Sequence, residues 1–289
     1  MNGKVKTIWI TGANGQVGSE LRKLATFYPK YNFLFTTRED VPIHDAALVE
    51  KFLFHNPVDV CINAAAYTAV DLAEKEREQA MLVNATAPGY LASACYLHNV
   101  RLIHISTDYV FDGNGKVPYL EDDAVDPVNF YGQTKLIGEQ EVLRLHLQSI
   151  VVRTSWVYST FGKNFVKTIY KLIKERKEIS VVNDQFGCPT YAADLANALL
   201  LIAITDNAPP GIYHYCNKGI ISWYDFAEAI CTLSNSSCVV FPIATSHYPT
   251  PAKRPAFSAL NTEKIKKTFH LSIPDWKQSL KICLQDIVQ

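Results

Sequence analysis

The sequence predicts an α/β fold: a Rossmann-type doubly wound parallel sheet followed by a smaller C-terminal α/β part that binds substrate. Three observations predict it. Short apolar runs alternate with helical patterns from the first residues onward. A glycine-punctuated turn joins the first strand to the first helix. The second half loses the regular alternation, yet no flexible linker separates it from the first.

The elements follow in order. Lys6 to Ile10 is a short apolar strand, and Gln16 to Thr26 has helical spacing. Phe33 to Thr37 is a second strand. Ala46 to Phe54 is a helix that Asn56-Pro57 ends. Val58 to Asn63 reads as a buried strand, Arg77 to Asn99 as one long helix and Arg101 to Ser106 as the next strand. Tyr131 to Leu147 is a helix and Ser149 to Arg153 a strand. Beyond them, Asn164 to Arg176 is an amphipathic helix, Asp184 to Thr190 a loop, and Ala193 to Ile204 a helix stopped before Pro209-Pro210-Gly211. Ser222 opens another helix with Asp225 three residues on, as in a capping box. Tyr248 to Pro255 holds three prolines and must be extended. Residues 1–155 are expected to form a dinucleotide-binding domain. Residues 156–289 are expected to form mainly the substrate-binding part, with some segments returning to the first.

Composition narrows the function. The 289 residues are 48% hydrophobic and 19% charged, an ordinary globular balance. Lysine plus arginine equals aspartate plus glutamate, 28 each, so nothing draws the chain to nucleic acid or an anionic membrane. No run approaches the roughly 18 apolar residues of a membrane span, and Met1 to Thr7 is too short and polar for a signal peptide. The seven cysteines are scattered without CxxC spacing and read as free thiols of a cytoplasmic protein. The histidines form no HxxxH pair, so no metal site is expected.

Residues Thr11 to Gly18 read T-G-A-N-G-Q-V-G. Gly12 permits a tight turn, Gly15 lets backbone approach a pyrophosphate, and Gly18 lets the helix pack closely on the sheet. The helix N-terminus then offers free N–H groups and a partial positive charge to phosphates. Arg38, at the end of the second strand, suits the 2′-phosphate of NADPH. The adjacent Glu39 and Asp40 leave NADH open.

Tyr131 and Lys135 lie four residues apart on a predicted helix and so share a face. A cation beside the phenol stabilises its phenolate and lowers a pKa that is ordinarily near 10. Tyr131 would protonate a substrate oxygen as hydride reaches carbon, and Lys135 would also hold the nicotinamide ribose. A third hydroxyl comes from the strand end Ile105-Ser106-Thr107-Asp108, with Thr107 the first choice and Ser106 the second.

These residues resemble the extended short-chain dehydrogenase/reductase family and, within it, the dTDP-4-dehydrorhamnose reductases, over essentially the whole length. The similarity is carried by TGANGQVG at 11–18, INAAAYTAVDLAE at 62–74, STDYVFDG at 106–113, YGQTK at 131–135, RTSWVY at 153–158, NDQFGCPT at 183–190 and YPTPAKRP at 248–255. The resemblance implies NADPH-dependent reduction of the 4-keto group of dTDP-6-deoxy-L-lyxo-4-hexulose to dTDP-L-rhamnose, for bacterial surface polysaccharide. It implies Thr107, Tyr131 and Lys135 as the catalytic triad. Gly12, Asn14, Gly15, Gln16, Val17, Gly18, Arg38, Asn63, Ala64, Ala65 and Lys135 would bind the cofactor. Thr68, Val70, Thr107, Asp108, Tyr131, Trp156 and Arg254 would face the nucleotide sugar, with Trp156 on the sugar and Arg254 reaching the diphosphate.

The chain departs from the family pattern at three places. Pro42 stands where an aspartate is usual after the second strand, and Leu72 replaces a lysine. Some members form homodimers through a cation held by carboxylates. Glu20 matches one such position, but Tyr191-Ala192-Ala193-Asp194 has alanine where another carboxylate would sit, so that metal site is not carried over. A 4,6-dehydratase would need a glutamate after Asp108, where Tyr109 stands. The remaining alternatives are a reductase of another nucleotide-linked 4-keto sugar and a non-catalytic subunit similar to the beta subunit of methionine adenosyltransferase.

Overall fold

The computed structural model describes residues 5–288, so the expectation for Met1 to Thr7 lies partly outside the described residues. In chain order the first half runs β1 (Thr7–Thr11), α1 (Gln16–Ala25), β2 (Asn32–Thr36), α2 (Ala46–His55), β3 (Val60–Asn63), α3 (Val70–Ala73) and α4 (Arg77–Met81). A π-helical turn (Leu82–Thr86), α5 (Ala87–Leu97), β4 (Arg101–Thr107), a 3-10 turn (Asp108–Val110), α6 (Phe130–Leu145) and β5 (Ile150–Thr154) follow. The second half opens with β6 (Val157–Tyr158), α7 (Phe165–Glu175), β7 (Glu178–Val182), β8 (Phe186–Gly187), β9 (Thr190–Tyr191) and α8 (Ala192–Ile204). It closes with β10 (Gly211–His214), β11 (Ile221–Ser222), α9 (Trp223–Leu233), β12 (Val239–Ile243), a second 3-10 turn (Thr245–His247), α10 (Glu263–Phe269) and α11 (Trp276–Val288).

The central sheet is parallel throughout, in the order β2-β1-β3-β4-β5-β10. Chain order reverses at β1, with β2 on one side and β3 on the other. The crevice beyond the C-terminal ends of β1 and β3 is therefore where a ligand fits. Strands β1, β3 and β5 are buried at every position because helices cover both faces. Successive side chains point to opposite faces. Ile8 and Ile10 accordingly join Leu21, Leu195 and Leu199 beneath α1 and α8. Trp9 between them joins Val49, Leu53 and Leu91 beneath α2 and α5.

The C-terminal part has its own core. Val166, Ile169 and Ile173 of α7 meet Phe226 and Ile230 of α9 and Leu280 and Leu284 of α11. Three two-stranded pairings, β7 with β12, β8 with β11 and β6 with β9, hold its strands. Segments of this half also complete the first: β10 pairs with β5 at the sheet edge, and α8 packs against α1.

Two elements differ from their sequence reading. The helix expected over 77–99 is interrupted by the π turn at 82–86. Pro88 has no N–H to give the carbonyl of Asn84, and its ring crowds that carbonyl, so the helix widens by one residue there. The Asn84 carbonyl instead lies against α6, where a Cβ on Gly138 would come within 2.1 Å of it. The segment 184–190, expected as a loop, contributes β8 and the start of β9. The capping box at Ser222 and Asp225 is formed in both directions.

Candidate active site

The turn after β1 is built as its glycines require. Gly12 has φ +65, and a Cβ there would lie 2.6 Å from the Ala65 nitrogen. A Cβ on Gly18 would lie 2.4 Å from the Gly12 carbonyl oxygen. Helix α1 begins at Gly15 with no side-chain cap and no acid in its first turn, which leaves its N–H groups for an anion. Gly12, Asn14, Gly15, Arg38, Ala64 and Ala65 line a cleft of about 590 Å³, with Glu39, Val41 and His44 on the far wall. Asp40 is turned away, accepting hydrogen bonds from the Thr37 amide and hydroxyl at 2.9 Å each. Exposed Arg38 and Glu39 are the charged groups facing the cleft beyond β2. Val17 packs its side chain into the core below α1. Gln16 reaches the C-terminal part, where its carbonyl accepts from Asn164 at 2.8 Å.

Asn63 joins the cleft to the sheet. Its Oδ1 accepts from the Thr11 hydroxyl at 2.7 Å and from the Ala65 amide at 3.2 Å. Its amide nitrogen lies 3.0 Å from His104 Nδ1 on β4.

Asn129 caps α6 by accepting from the Gly132 amide at 2.8 Å and fixes where Tyr131 and Lys135 begin. Gly132 is needed because a Cβ would lie 2.2 Å from the Tyr109 carbonyl oxygen. Thr107, rather than Ser106, has its hydroxyl beside the Tyr131 phenol. The Thr107 hydroxyl also donates to Asp108 Oδ1 at 3.0 Å. Ser106 Oγ and Asp108 Oδ2 are buried without a hydrogen-bond partner among the described residues. Burial pushes the Asp108 carboxyl up to about 7, against the nearby hydroxyls of Ser258 and Thr107.

In the protein alone, Lys135 is not among the groups that move the Tyr131 pKa. Burial pushes the phenol up to about 12; the Thr107 hydroxyl opposes this and Asp108 adds to it. The Lys135 ammonium donates to the Ile105 carbonyl at 2.7 Å and lies 3.4 Å from His104 Nε2. Burial pulls Lys135 down to about 8, against the pull of Glu139 one turn on.

The residues expected around a sugar lie on three segments. Thr68 is exposed, and its carbonyl accepts from the Val70 amide at 3.0 Å as α3 begins. Trp156 follows β5 with φ +47, an uncommon conformation for a bulky residue. Its indole stacks on Trp223 at 3.5 Å between centroids and lies against Gly187, where a Cβ would be 2.6 Å from Cε2. Trp156 is thus also part of the aromatic cluster of the C-terminal part. Arg254 pairs with Asp71 of α3, which holds that carboxyl below its usual range.

Sequence reasoning missed three residues that shape this site. Asn84 accepts from the Tyr67 amide at 2.8 Å and donates to the Tyr67 carbonyl at 2.9 Å, fixing the 64–69 loop; Pro88, four residues on, was the available signal. Asp71 and His104 carried no motif spacing of their own.

The chain matches the family described as the RmlD substrate binding domain over residues 6–289. A dTDP-4-dehydrorhamnose reductase of Aggregatibacter actinomycetemcomitans is 42% identical, over 94% of this chain and 96% of its own. A spore coat polysaccharide biosynthesis protein of Bacillus subtilis is 39% identical, over 96% and 97%. Among solved structures, a dTDP-4-dehydrorhamnose reductase of Clostridium acetobutylicum superimposes with a TM-score of 0.94 at 40% identity, covering 98% of this chain and 100% of its own. The Bacillus anthracis dTDP-4-dehydrorhamnose reductase, solved in complex with NADP, gives 0.92 at 37% identity, with 98% and 100% covered. With its glycine-lined cleft, its hydroxyl-lined strand end and these full-length matches together, the chain belongs to the RmlD substrate binding domain family, that of the dTDP-4-dehydrorhamnose reductases.

Proposed function

We propose that the protein is an NADPH-dependent dTDP-4-dehydrorhamnose reductase. It reduces the 4-keto group of dTDP-6-deoxy-L-lyxo-4-hexulose to give dTDP-L-rhamnose, with Tyr131 as proton donor. The observation that carries the reading is the Thr107 and Tyr131 hydroxyls side by side at the C-terminal end of β4, next to the glycine-lined cleft. The relatives' names and the NADP complex of the Bacillus anthracis enzyme support it.

The residues present fit the cofactor: a tight turn in which a Cβ at Gly12 or Gly18 would strike neighbouring backbone, and an uncapped helix N-terminus beside the cleft. Asn14, Gly15 and the α1 amides would hold the pyrophosphate, Arg38 a 2′-phosphate, Ala64 and Ala65 the cleft wall, and Lys135 the nicotinamide ribose. Bound there, NADPH supplies a hydride. With substrate bound, the Thr107 hydroxyl would turn its one proton from Asp108 Oδ1 to the sugar oxygen, and Tyr131 holds the proton that this oxygen takes. A phenol that stays protonated to about 12 is fully loaded at neutral pH. Thr68, Val70, Trp156 and Arg254 would bind the nucleotide sugar, with residues 156–289 as the mainly substrate-binding part and 1–155 as the cofactor domain.

The test is loss of reduced-nicotinamide absorbance with enzymatically generated dTDP-4-keto-6-deoxy-L-mannose, run with NADPH and separately with NADH. Rapid oxidation, faster with NADPH, and dTDP-L-rhamnose as product are expected. Absence of oxidation while NADPH still binds would overturn this substrate and favour first a reductase of another nucleotide-linked 4-keto sugar, then the non-catalytic subunit. A preference for NADH would overturn the role of Arg38.

A further inference from the structure

A hydrogen-bonded line runs through the buried interior from the glycine turn to Lys135. It passes from Thr11 on β1 to Asn63 on β3, His104 on β4 and Lys135 on α6. His104 is fully buried.

The line fixes a proton. The Ala65 backbone N–H can only donate, so the Asn63 atom that it meets must be the carbonyl oxygen. The other end of that amide is then the NH₂ group, which donates to His104 Nδ1 at 3.0 Å. An imidazole that accepts at Nδ1 and remains neutral carries its proton on Nε2. Burial, with the Lys135 charge adding, holds His104 well below its ordinary pKa, consistent with a neutral ring. Nε2–H therefore faces Lys135 Nζ across 3.4 Å. A donor there can bond only to the lone pair of a neutral amine. It repels an ammonium.

We infer that His104 is a positioning residue that sets the protonation state of Lys135, its Nε2–H favouring the neutral amine while the Ile105 carbonyl holds the same nitrogen in place. Among the described residues, the other ionisable groups on the elements around this pair do not present a hydrogen to Nζ. Glu139 on α6 opposes it by attracting the ammonium, but Glu139 is itself bonded to Arg153 of β5 at 2.8 Å. Tyr131 on α6 is a neutral phenol, and Asp108 beyond β4 is bonded by Thr107. Cys61 of β3 and Cys95 of α5 share this side of the sheet as free, buried thiols turned to each other. His104 is the group that presents a hydrogen directly to Nζ. Any effect on turnover would rest on Lys135 belonging to the proposed reductase site, whereas its protonation is a property of the folded chain alone.

The experiment uses the full chain without turnover. Nitrogen NMR of isotope-labelled histidine reads the His104 tautomer, and labelled lysine reads the titration of Lys135, in the wild type and in His104→Gln. The glutamine can turn its carbonyl oxygen to Nζ. His104 should show a bare Nδ1 and a protonated Nε2 throughout the neutral range. The Lys135 midpoint should rise by about one pH unit in His104→Gln. A proton on Nδ1, or a cationic ring at neutral pH, would overturn the inference, and so would equal Lys135 midpoints in the two proteins. The wild-type tautomer decides even if the variant fails to fold. Because neither readout involves substrate, a protein without reductase activity would still answer the question.

Discussion

Arg254 sets two guanidinium nitrogens on the carboxylate of Asp71, at 2.9 and 2.7 Å, joining the proline-rich segment to α3 across 183 positions of chain. The Ala252 amide donates to the same carboxylate at 3.1 Å, so the segment is held by side chain and backbone together. The pair is partly open to water, with side-chain exposures of 23% and 39%. A pair in that setting stabilises a fold by less than about 1 kcal/mol. Its value therefore lies in where it holds Arg254.

Arg254→Lys keeps the charge but loses the two-pronged geometry. We expect KM for the nucleotide sugar to rise about tenfold with little change in melting temperature or NADPH affinity. Steady-state kinetics and thermal unfolding check this. A large fall in melting temperature with unchanged KM would make the pair purely structural.

Tyr131→Phe removes the proton and leaves the ring. NADPH affinity should be nearly unchanged, while reduction falls by roughly 10²–10⁴. Single-turnover measurements separate the two effects, and near-wild-type turnover would end the assigned role.

Asp108 is the acid whose pH behaviour should show in stability. Its carboxyl has a folded-state value of about 7 against an ordinary 3.8. Folding therefore favours the protonated form. The stability it contributes is complete below the ordinary value and is lost as pH rises through about 7. Asp108→Asn stays neutral, so it should lose less melting temperature between pH 5 and 8.5, by roughly a few degrees. Parallel melting curves for the two proteins would contradict this.

Gly187→Ala tests the Trp156 placement. The added Cβ would lie 2.6 Å from the indole, and ring and backbone cannot both stay. The indole should shift off Trp223, changing tryptophan fluorescence, and KM for the sugar should rise several-fold while NADPH binding holds. A fluorescence change without a KM change would confine Trp156 to the aromatic cluster.

Local chemistry made the first half legible. Apolar strands, the Gly12-Gly15-Gly18 turn and the Tyr131–Lys135 spacing are each written within a few residues of one another. The capping box at Ser222 was legible for the same reason. What the sequence concealed depends on distant partners. The two-residue strands β8 and β9 are defined by pairing with β11 and β6, which no local pattern records. Helical spacing puts Lys135 on the face of Tyr131, but nothing nearby in the sequence records that its ammonium donates to the Ile105 carbonyl on β4. His104 looked like one more residue of a buried strand until Asn63 and Lys135 were brought to its two nitrogens.

The return of β10 to the edge of β5 bears on how the chain is made. A ribosome releases the first five sheet strands well before Gly211–His214 exist. Until then the outer edge of β5 has no partner, and the face of α1 that α8 will cover is open to solvent. Bare strand edges are templates for pairing with other chains, and nascent domains are most vulnerable while such edges persist. A chain stopped after residue 155 would keep both openings for good, so the first half is not a detachable module: its last strand is delivered by the half that follows it.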